Sequence, residues 1–120
     1  MPEPGTVFQL VPEGSNHYWV VISAPLDGRV LIVNITDEEH CPDSSCKVAI
    51  GEHPSVDKAS AVYYRKARVF EAARIDEHLQ NPTLVRQLEN CSPELLQRII
   101  EGARKAEDLT LRFLDYLPAE

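Results

Sequence analysis

The chain has 120 residues, of which 43% are hydrophobic and 26% charged, and its formal net charge is -7. This length allows one domain with one core, and the composition is that of a globular rather than a disordered chain. The acidic balance excludes indiscriminate nucleic-acid binding, because phosphate affinity comes from basic residues that displace counterions. The exception is residues 58–74, where five basic residues accompany one acid, Glu71.

The N-terminal residues and the cysteines favour a cytoplasmic protein. Residues 1–5 have neither the basic nor the apolar part of a signal segment, and no stretch approaches the roughly 18 apolar residues of a membrane span. The three cysteines, Cys41, Cys46 and Cys91, are an odd number and lack the dense spacing of a disulfide scaffold. We therefore expect a reducing compartment and no membrane partner.

The first part of the chain predicts a small, strongly curved sheet. About five β-rich segments are separated by turn residues. They span residues 6–11, 17–23, 29–36, 46–50 and 61–70. The second and third flank a turn at 25–28, and we expect them to be the paired central strands. The fifth loses its alternation near Arg65 and Lys66, which predicts a bend or a bulge.

The sequence changes character from Ile75 onwards. Residues 75–80 predict one helical turn and residues 82–89 a short helix. Ser92 is a typical N-cap, and the proline and glutamate that follow it suit a first helical turn. Apolar residues then recur at helical spacing as far as Leu117, and we expect this stripe to cover the sheet rather than a partner. The predicted fold class is α+β: one domain, with a barrel over about 4–72 and a helical C-terminus over about 75–117.

Four short segments follow one another in an order that resembles the PemK/MazF family of toxin endoribonucleases. The first is Pro4-Gly5-Thr6-Val7, where the family has Pro-Gly-x-Val. Residues 17–23 match the strand Arg-Pro-x-Val-Val-Ile-Ser, and residues 33–36 match a strand ending Val-Pro-(Ile/Leu)-Thr. Residues 60–70 align with Ser-Val-Val-x-x-Asp-Gln-x-Arg-x-Ile. The segment 51–54, with Ser60 and Tyr63, is similar to a divergent branch of that family.

The resemblance implies a fold, an activity and partners. The fold is an SH3-like β-barrel with appended helices, usually a homodimer. The activity is cleavage of single-stranded RNA without metal or other cofactor, silenced by a cognate antitoxin protein. The family's catalytic Arg aligns with His17, its catalytic Thr with Thr36, and its Asp-Gln pair with Arg65 and Lys66. Of these functional positions, Thr36 and Arg68 are the identities.

Metal-independent RNA cleavage sets the chemical roles to be filled. It needs a base for the 2′-hydroxyl, an acid for the leaving 5′-oxygen, and donors for the charge that develops on phosphorus. Histidine suits the first two roles and arginine the third. We predict His53 and His17 as acid and base, with Thr36 and either Lys58 or Arg68 at the phosphate. A turn or rim role for the histidines, and local capping by Thr36, remain open.

RNA binding is predicted for one aromatic and four basic residues, namely Arg68, Lys58, Arg65, Lys66 and Tyr63. Aromatic rings stack on unpaired bases, which is the usual way to hold single-stranded RNA. Tyr18-Trp19 and Tyr63-Tyr64 are adjacent pairs, so in a strand one member of each belongs to the core. Charges on an outer strand also keep an edge soluble, and that alternative stays open.

Two other functions remain open at this point. One is a barrel that has lost catalysis and binds a protein partner, which the acidic charge and the missing family Arg favour. The other is a zinc-stabilised structural domain, since His40, Cys41 and Cys46 supply soft ligands within a short stretch. The spacing Cys41-x4-Cys46 is loose for zinc, so we predict no metal site.

Overall fold

The computed structural model is α+β and describes residues 2–11, 18–42, 45–106, 109 and 111–117. Six antiparallel strands curl into a half-barrel, and two helices pack against it. The strands are β1 (Val7–Leu10), β2 (Tyr18–Val21), β3 (Arg29–Asp37), β4 (Lys47–Val48), β5 (Ser60–Glu71) and β6 (Val85–Leu88), and the helices are α1 (Ala72–Leu79) and α2 (Pro93–Lys105). The strand order is β4-β5-β3-β2-β1-β6. None of the helices described is of a length and apolarity that would cross a membrane.

The central strands are apolar on both faces because each face of the sheet is covered by a helix. On what we call the α2 face, Val20, Leu31 and Val33 pack with Leu95 and Ile99 of α2. The opposite face, called the α1 face, packs against α1. Its buried apolar residues are Phe8, Trp19, Val21, Val30, Ile32, Ala72, Ile75 and Val85. The predicted pairing of the second and third strands is confirmed.

Helix α2 begins where the sequence predicts and lies very close to the sheet. The Ser92 hydroxyl accepts a hydrogen bond from the Leu95 backbone N–H at 3.1 Å, the usual N-cap contact. The buried Tyr64 hydroxyl donates to the Ile99 carbonyl at 2.7 Å. Gly102 allows this approach, because a Cβ on it would lie 2.3 Å from the Tyr64 hydroxyl oxygen. The predicted covering of the sheet is confirmed, although the α-helix ends at Lys105 and a 3-10 segment follows at Leu111–Tyr116.

A bulge in β5 confirms the predicted irregularity near Arg65 and Lys66. Asn34 of β3 lies opposite Tyr63, and Ile32 lies opposite Arg68. One residue of β3 therefore faces the four residues 64–67 of β5. In a regular strand, Tyr63 and Arg68 are an odd number of residues apart and point to opposite faces. The bulge places both of them on the α1 face.

The prediction of a short helix at 82–89 is wrong. Val85–Leu88 is the sixth strand and pairs antiparallel with β1, from Val7 opposite Leu88 to Leu10 opposite Val85. The backbone N–H and C=O groups along the free side of β1 form hydrogen bonds with residues 85–88, and this pairing outweighs any local preference of the segment for helix. Helix α1 begins at Ala72, ahead of the predicted Ile75, and β4 is shorter than predicted.

Candidate functional site

Pairing of β3 with β5 brings three of the predicted site residues onto the α1 face. Thr36 is opposite Ala61, Asn34 is opposite Tyr63, and Ile32 is opposite Arg68. Alternate residues of β3 share a face, so these six residues lie on one side of the ladder. We call its polar members, Asn34, Thr36, Tyr63 and Arg68, together with Lys66 of the bulge, the β3–β5 patch.

Two cations of the patch lie over aromatic rings. The Lys66 ammonium is 5.3 Å from the centre of the Tyr63 ring. The Arg68 guanidinium is 5.1 Å from the centre of the Trp19 ring. Both distances lie within the range of about 6 Å over which a ring face attracts a cation. A cation beside an aromatic ring is suited to a nucleotide, whose phosphate and base need those two groups.

Asn34 is a functional candidate that the sequence analysis missed. Its side chain is 2% exposed, and its Nδ2 donates to the Tyr18 carbonyl at 3.4 Å. Its Oδ1 is buried without a hydrogen-bond partner among the residues that the structure describes. Such an oxygen costs about 1–3 kcal/mol, and a ligand N–H or O–H would remove that cost once neighbouring groups move to expose the atom. The available signal was one polar residue in the middle of the apolar strand 29–36.

Thr36, the second β3 residue of the patch, lies at its acidic end. It is 3% exposed, so a phosphate reaches its hydroxyl only after neighbouring groups move. Residues 37–39 are all acidic and line an open groove of about 630 Å³ together with Lys58 and Ala59. The predicted RNA ligand Lys58 therefore lies among three carboxylates. By strand geometry, Asp37 in the same groove is about 17 Å along β3 from Ile32, the residue opposite Arg68.

The buried ring of His53 has no nitrogen left for a substrate. The side chain is 4% exposed, and its Nδ1 accepts a hydrogen bond from the Ser55 backbone N–H at 3.0 Å. The Nε2 atom therefore carries the proton and donates it to the Glu89 carbonyl. This bond joins the loop after β4 to the residue after β6, the two strands at opposite ends of the sheet order. The ring thus has a structural role away from the β3–β5 patch.

The remaining predicted site residues are placed as follows. His17 lies outside the described residues, so its predicted role stays a prediction. Arg65 is an exposed residue of the bulge. Of the two aromatic pairs, Trp19 and Tyr64 are the core members. Tyr18 is partly exposed, and burial, with Asp57 and Asp37 nearby, raises the pKa of its phenol, whose hydroxyl donates to the Ser55 carbonyl at 2.7 Å.

The zinc ligands considered from the sequence do not come together. Among the described residues, the group with ligand atoms within 4.8 Å of one another is Asp37, Glu39 and His40, and neither Cys41 nor Cys46 belongs to it. Burial raises the pKa of the Cys46 thiol. The placement of these side chains, rather than the protonation of any thiol, is what does not favour a zinc site built from His40, Cys41 and Cys46.

Arg98 fixes the loop that carries His53. Its guanidinium donates to the Glu52 carboxylate and to the Lys47 carbonyl, and these bonds tie α2 to β4 and to the segment after it. The Arg98 hydrogen bonds, followed by the one from the Ala49 N–H, hold the pKa of the Glu52 carboxyl below its usual value. The loop is therefore anchored on one side by Arg98 and on the other by His53.

No protein-family model, curated protein or solved structure matches this chain. The functional inference therefore depends on the residues of the β3–β5 patch and on the chemistry that they can perform.

Proposed function

We propose that the protein is a toxin-type, metal-independent endoribonuclease that binds single-stranded RNA on the β3–β5 patch. The observation that carries the proposal is the grouping of Thr36, Tyr63 and Arg68 on one face of the sheet. Among the functional positions of the PemK/MazF motifs, Thr36 and Arg68 are the two that are identical in this chain. The curled antiparallel sheet is compatible with the SH3-like barrel that the resemblance implies.

Each residue of the patch has a defined role in this proposal. Tyr63 stacks on an unpaired base, and Lys66 and Arg68 neutralise the phosphates on either side. The Asn34 Oδ1 atom accepts a hydrogen bond from an amino group of a base or from a 2′-hydroxyl. Thr36 donates to the phosphate that is attacked. Because the ring of His53 is occupied, His17 takes both roles in this proposal: it accepts the proton of the 2′-hydroxyl and then donates it to the leaving 5′-oxygen.

The partners of the protein are part of the same proposal. The resemblance implies a homodimer and a cognate antitoxin protein that blocks cleavage. The acidic residues 37–39 give the antitoxin a surface to which basic side chains would be attracted. Expression without the antitoxin is then expected to stop growth.

A catalytically inactive barrel that binds a protein partner is the second candidate. The specific observation in its favour is His53, whose two ring nitrogens both bond to backbone groups of the protein itself. The β3–β5 patch itself, namely Asn34, Thr36, Tyr63, Lys66 and Arg68, contains no histidine. Under this alternative, the acidic groove of residues 37–39 becomes the docking surface.

The test is cleavage of a long single-stranded RNA by purified, antitoxin-free protein in excess chelator. We expect wild type to cut at selected sequences, His17→Ala to lose cleavage, and Tyr63→Ala to bind RNA more weakly. His40→Ala is the control for loss of a histidine, because His40 is exposed and is not a residue of the patch. Absence of cleavage by folded wild type would favour the binding module. Lost cleavage by a folded His53→Ala protein would return the catalytic role to His53.

A further inference from the structure

Three arginines line an open groove beside the β3–β5 patch. The groove has a volume of about 580 Å³ and lies along β5, between the start of α1 and the 3-10 segment 111–116. Its charged lining residues are Arg29, Arg68, Arg74 and Glu71, and Phe113 forms part of its apolar wall. The volume falls within the ~300–1,000 Å³ typical of ligand pockets. We call this surface the arginine groove.

The β3–β5 ladder explains why these arginines meet. Arg29 begins β3 and pairs with Glu71, the last residue of β5. Helix α1 follows at the next residue, so Arg74 lies in its first turn. Arg68 belongs to the same end of β5. The ladder thereby brings Arg29, which is distant in sequence, next to the basic residues of the stretch 58–74.

The guanidinium groups of the arginine groove are available to an anion. All three arginines are exposed. Among the described residues, no carboxylate forms an ion pair with any of them. Three arginines and one glutamate give the groove a formal charge of +2, whereas the whole chain carries -7. Guanidinium groups also match phosphate geometry with two parallel hydrogen bonds.

The groove at the other end of the β3–β5 ladder is negatively charged. The groove lined by Asp37, Glu38, Glu39 and Lys58 has a formal charge of -2. The Lys47 ammonium, 3.0 Å from the Glu38 carboxylate, reduces this negative charge without cancelling it. A polyanion on the patch is therefore repelled at the Thr36 end and attracted at the Arg68 end. Arg68 belongs to both the patch and the arginine groove, so a bound chain can pass from one to the other without a break.

We propose that the arginine groove binds the phosphodiester backbone of single-stranded RNA that leaves the β3–β5 patch at Arg68. The inference rests on the proposed function and adds Arg29 and Arg74 to the surface that holds the substrate. RNA of a few nucleotides occupies the patch alone. Longer RNA also occupies the arginine groove and gains affinity from it.

The test compares the salt dependence of RNA binding for variants of the groove. Fluorescence anisotropy would follow labelled, non-cleavable 2′-O-methyl RNA of about 4 and about 12 nucleotides, which spans the usual range of single-strand sites. The variants are Arg29→Gln, Arg74→Gln and the double variant, with Arg86→Gln as control. Arg86 is an exposed arginine on β6, the strand at the other end of the sheet. Thermal unfolding would check that each variant folds.

Each result of this experiment either supports or refutes RNA binding by the arginine groove. We expect the double variant to lower the slope of log K against log salt by about 1.4 for the long RNA, at about 0.7 for each phosphate contact. The short RNA and the Arg86→Gln control should be unaffected. If the double variant leaves the salt slope for the long RNA unchanged while Tyr63→Ala still weakens binding, the arginine groove does not bind RNA. The proposed function would then remain supported. Wild type that binds neither RNA would overturn both.

Discussion

Replacement of Gly102 by alanine tests how closely α2 approaches the sheet. A Cβ at this position would lie 2.3 Å from the Tyr64 hydroxyl oxygen, 3.0 Å from the Cys46 Cβ and 3.2 Å from the Ser45 carbonyl oxygen. Overpacking of this kind costs about 1–3 kcal/mol. Loss of the buried hydrogen bond from Tyr64 to Ile99 adds about 1 kcal/mol. The higher helix propensity of alanine offsets about 1 kcal/mol of this loss in stability.

We therefore expect Gly102→Ala to lower the free energy of unfolding by about 1–3 kcal/mol. Urea unfolding followed by tryptophan fluorescence measures this directly, because Trp19 is the single tryptophan and is buried. The midpoint should fall while the m-value stays the same. Glu101→Ala, at the neighbouring exposed position of α2, is the matched control and should stay within about 0.5 kcal/mol of wild type.

A double-mutant cycle identifies the group responsible. Tyr64→Phe removes the hydroxyl that the new methyl group would meet, so Gly102→Ala should cost less in the Tyr64→Phe background. The expected coupling energy is at least about 0.5 kcal/mol, as is usual for residues in contact. Gly102→Ala protein as stable as wild type, or fully additive effects, would refute the close approach.

Two further predictions concern the loop between β4 and β5. His53→Ala should lower the free energy of unfolding by about 2–4 kcal/mol in the same urea assay, because the hydrogen bonds to the Ser55 N–H and to the Glu89 carbonyl are both lost. A loss below about 0.5 kcal/mol would show that the ring is not a structural link. Glu52→Gln should destabilise the protein at neutral pH but not in acid. The folded-state pKa of Glu52 lies below its usual value of 4.5, so its stabilisation is present above that pH and disappears as pH falls through the folded pKa. Urea midpoints of both proteins from pH 7 to about pH 3 would converge, and a constant difference would contradict the assignment.

Much of the fold was predictable because its signals are local. The paired apolar strands β2 and β3 flank a turn, and the capped amphipathic pattern after Ser92 identifies α2. The loss of alternation near Arg65 located the bulge. Strand β6 was missed because its residues, Val85–Leu88, are half polar and are extended by their distant pairing with β1. No pattern within the segment itself reports that pairing.

The candidate site was less predictable because its members meet through strand register. The motif resemblance identified Thr36 and Arg68, but only the bulge shows that Tyr63 and Arg68 share a face. The environment of His53 depends on two backbone groups, the Ser55 N–H and the Glu89 carbonyl, which a sequence does not place. Arg29 joins the arginine groove through the β3–β5 ladder and not through any sequence motif.

The hydrogen bond from His53 to Glu89 links the two edges of the sheet. A half-barrel has two edge strands, and exposed edges are templates for pairing with other chains. Here the loop after β4 and the residue after β6 are joined by one imidazole ring, which holds the two ends of the sheet together. Loss of the ring would release both ends at once, and the amide hydrogens of β4 and β6 would then exchange with solvent as one cooperative unit. A histidine that the sequence suggested for cutting RNA is thus expected to keep both edges of the sheet in place.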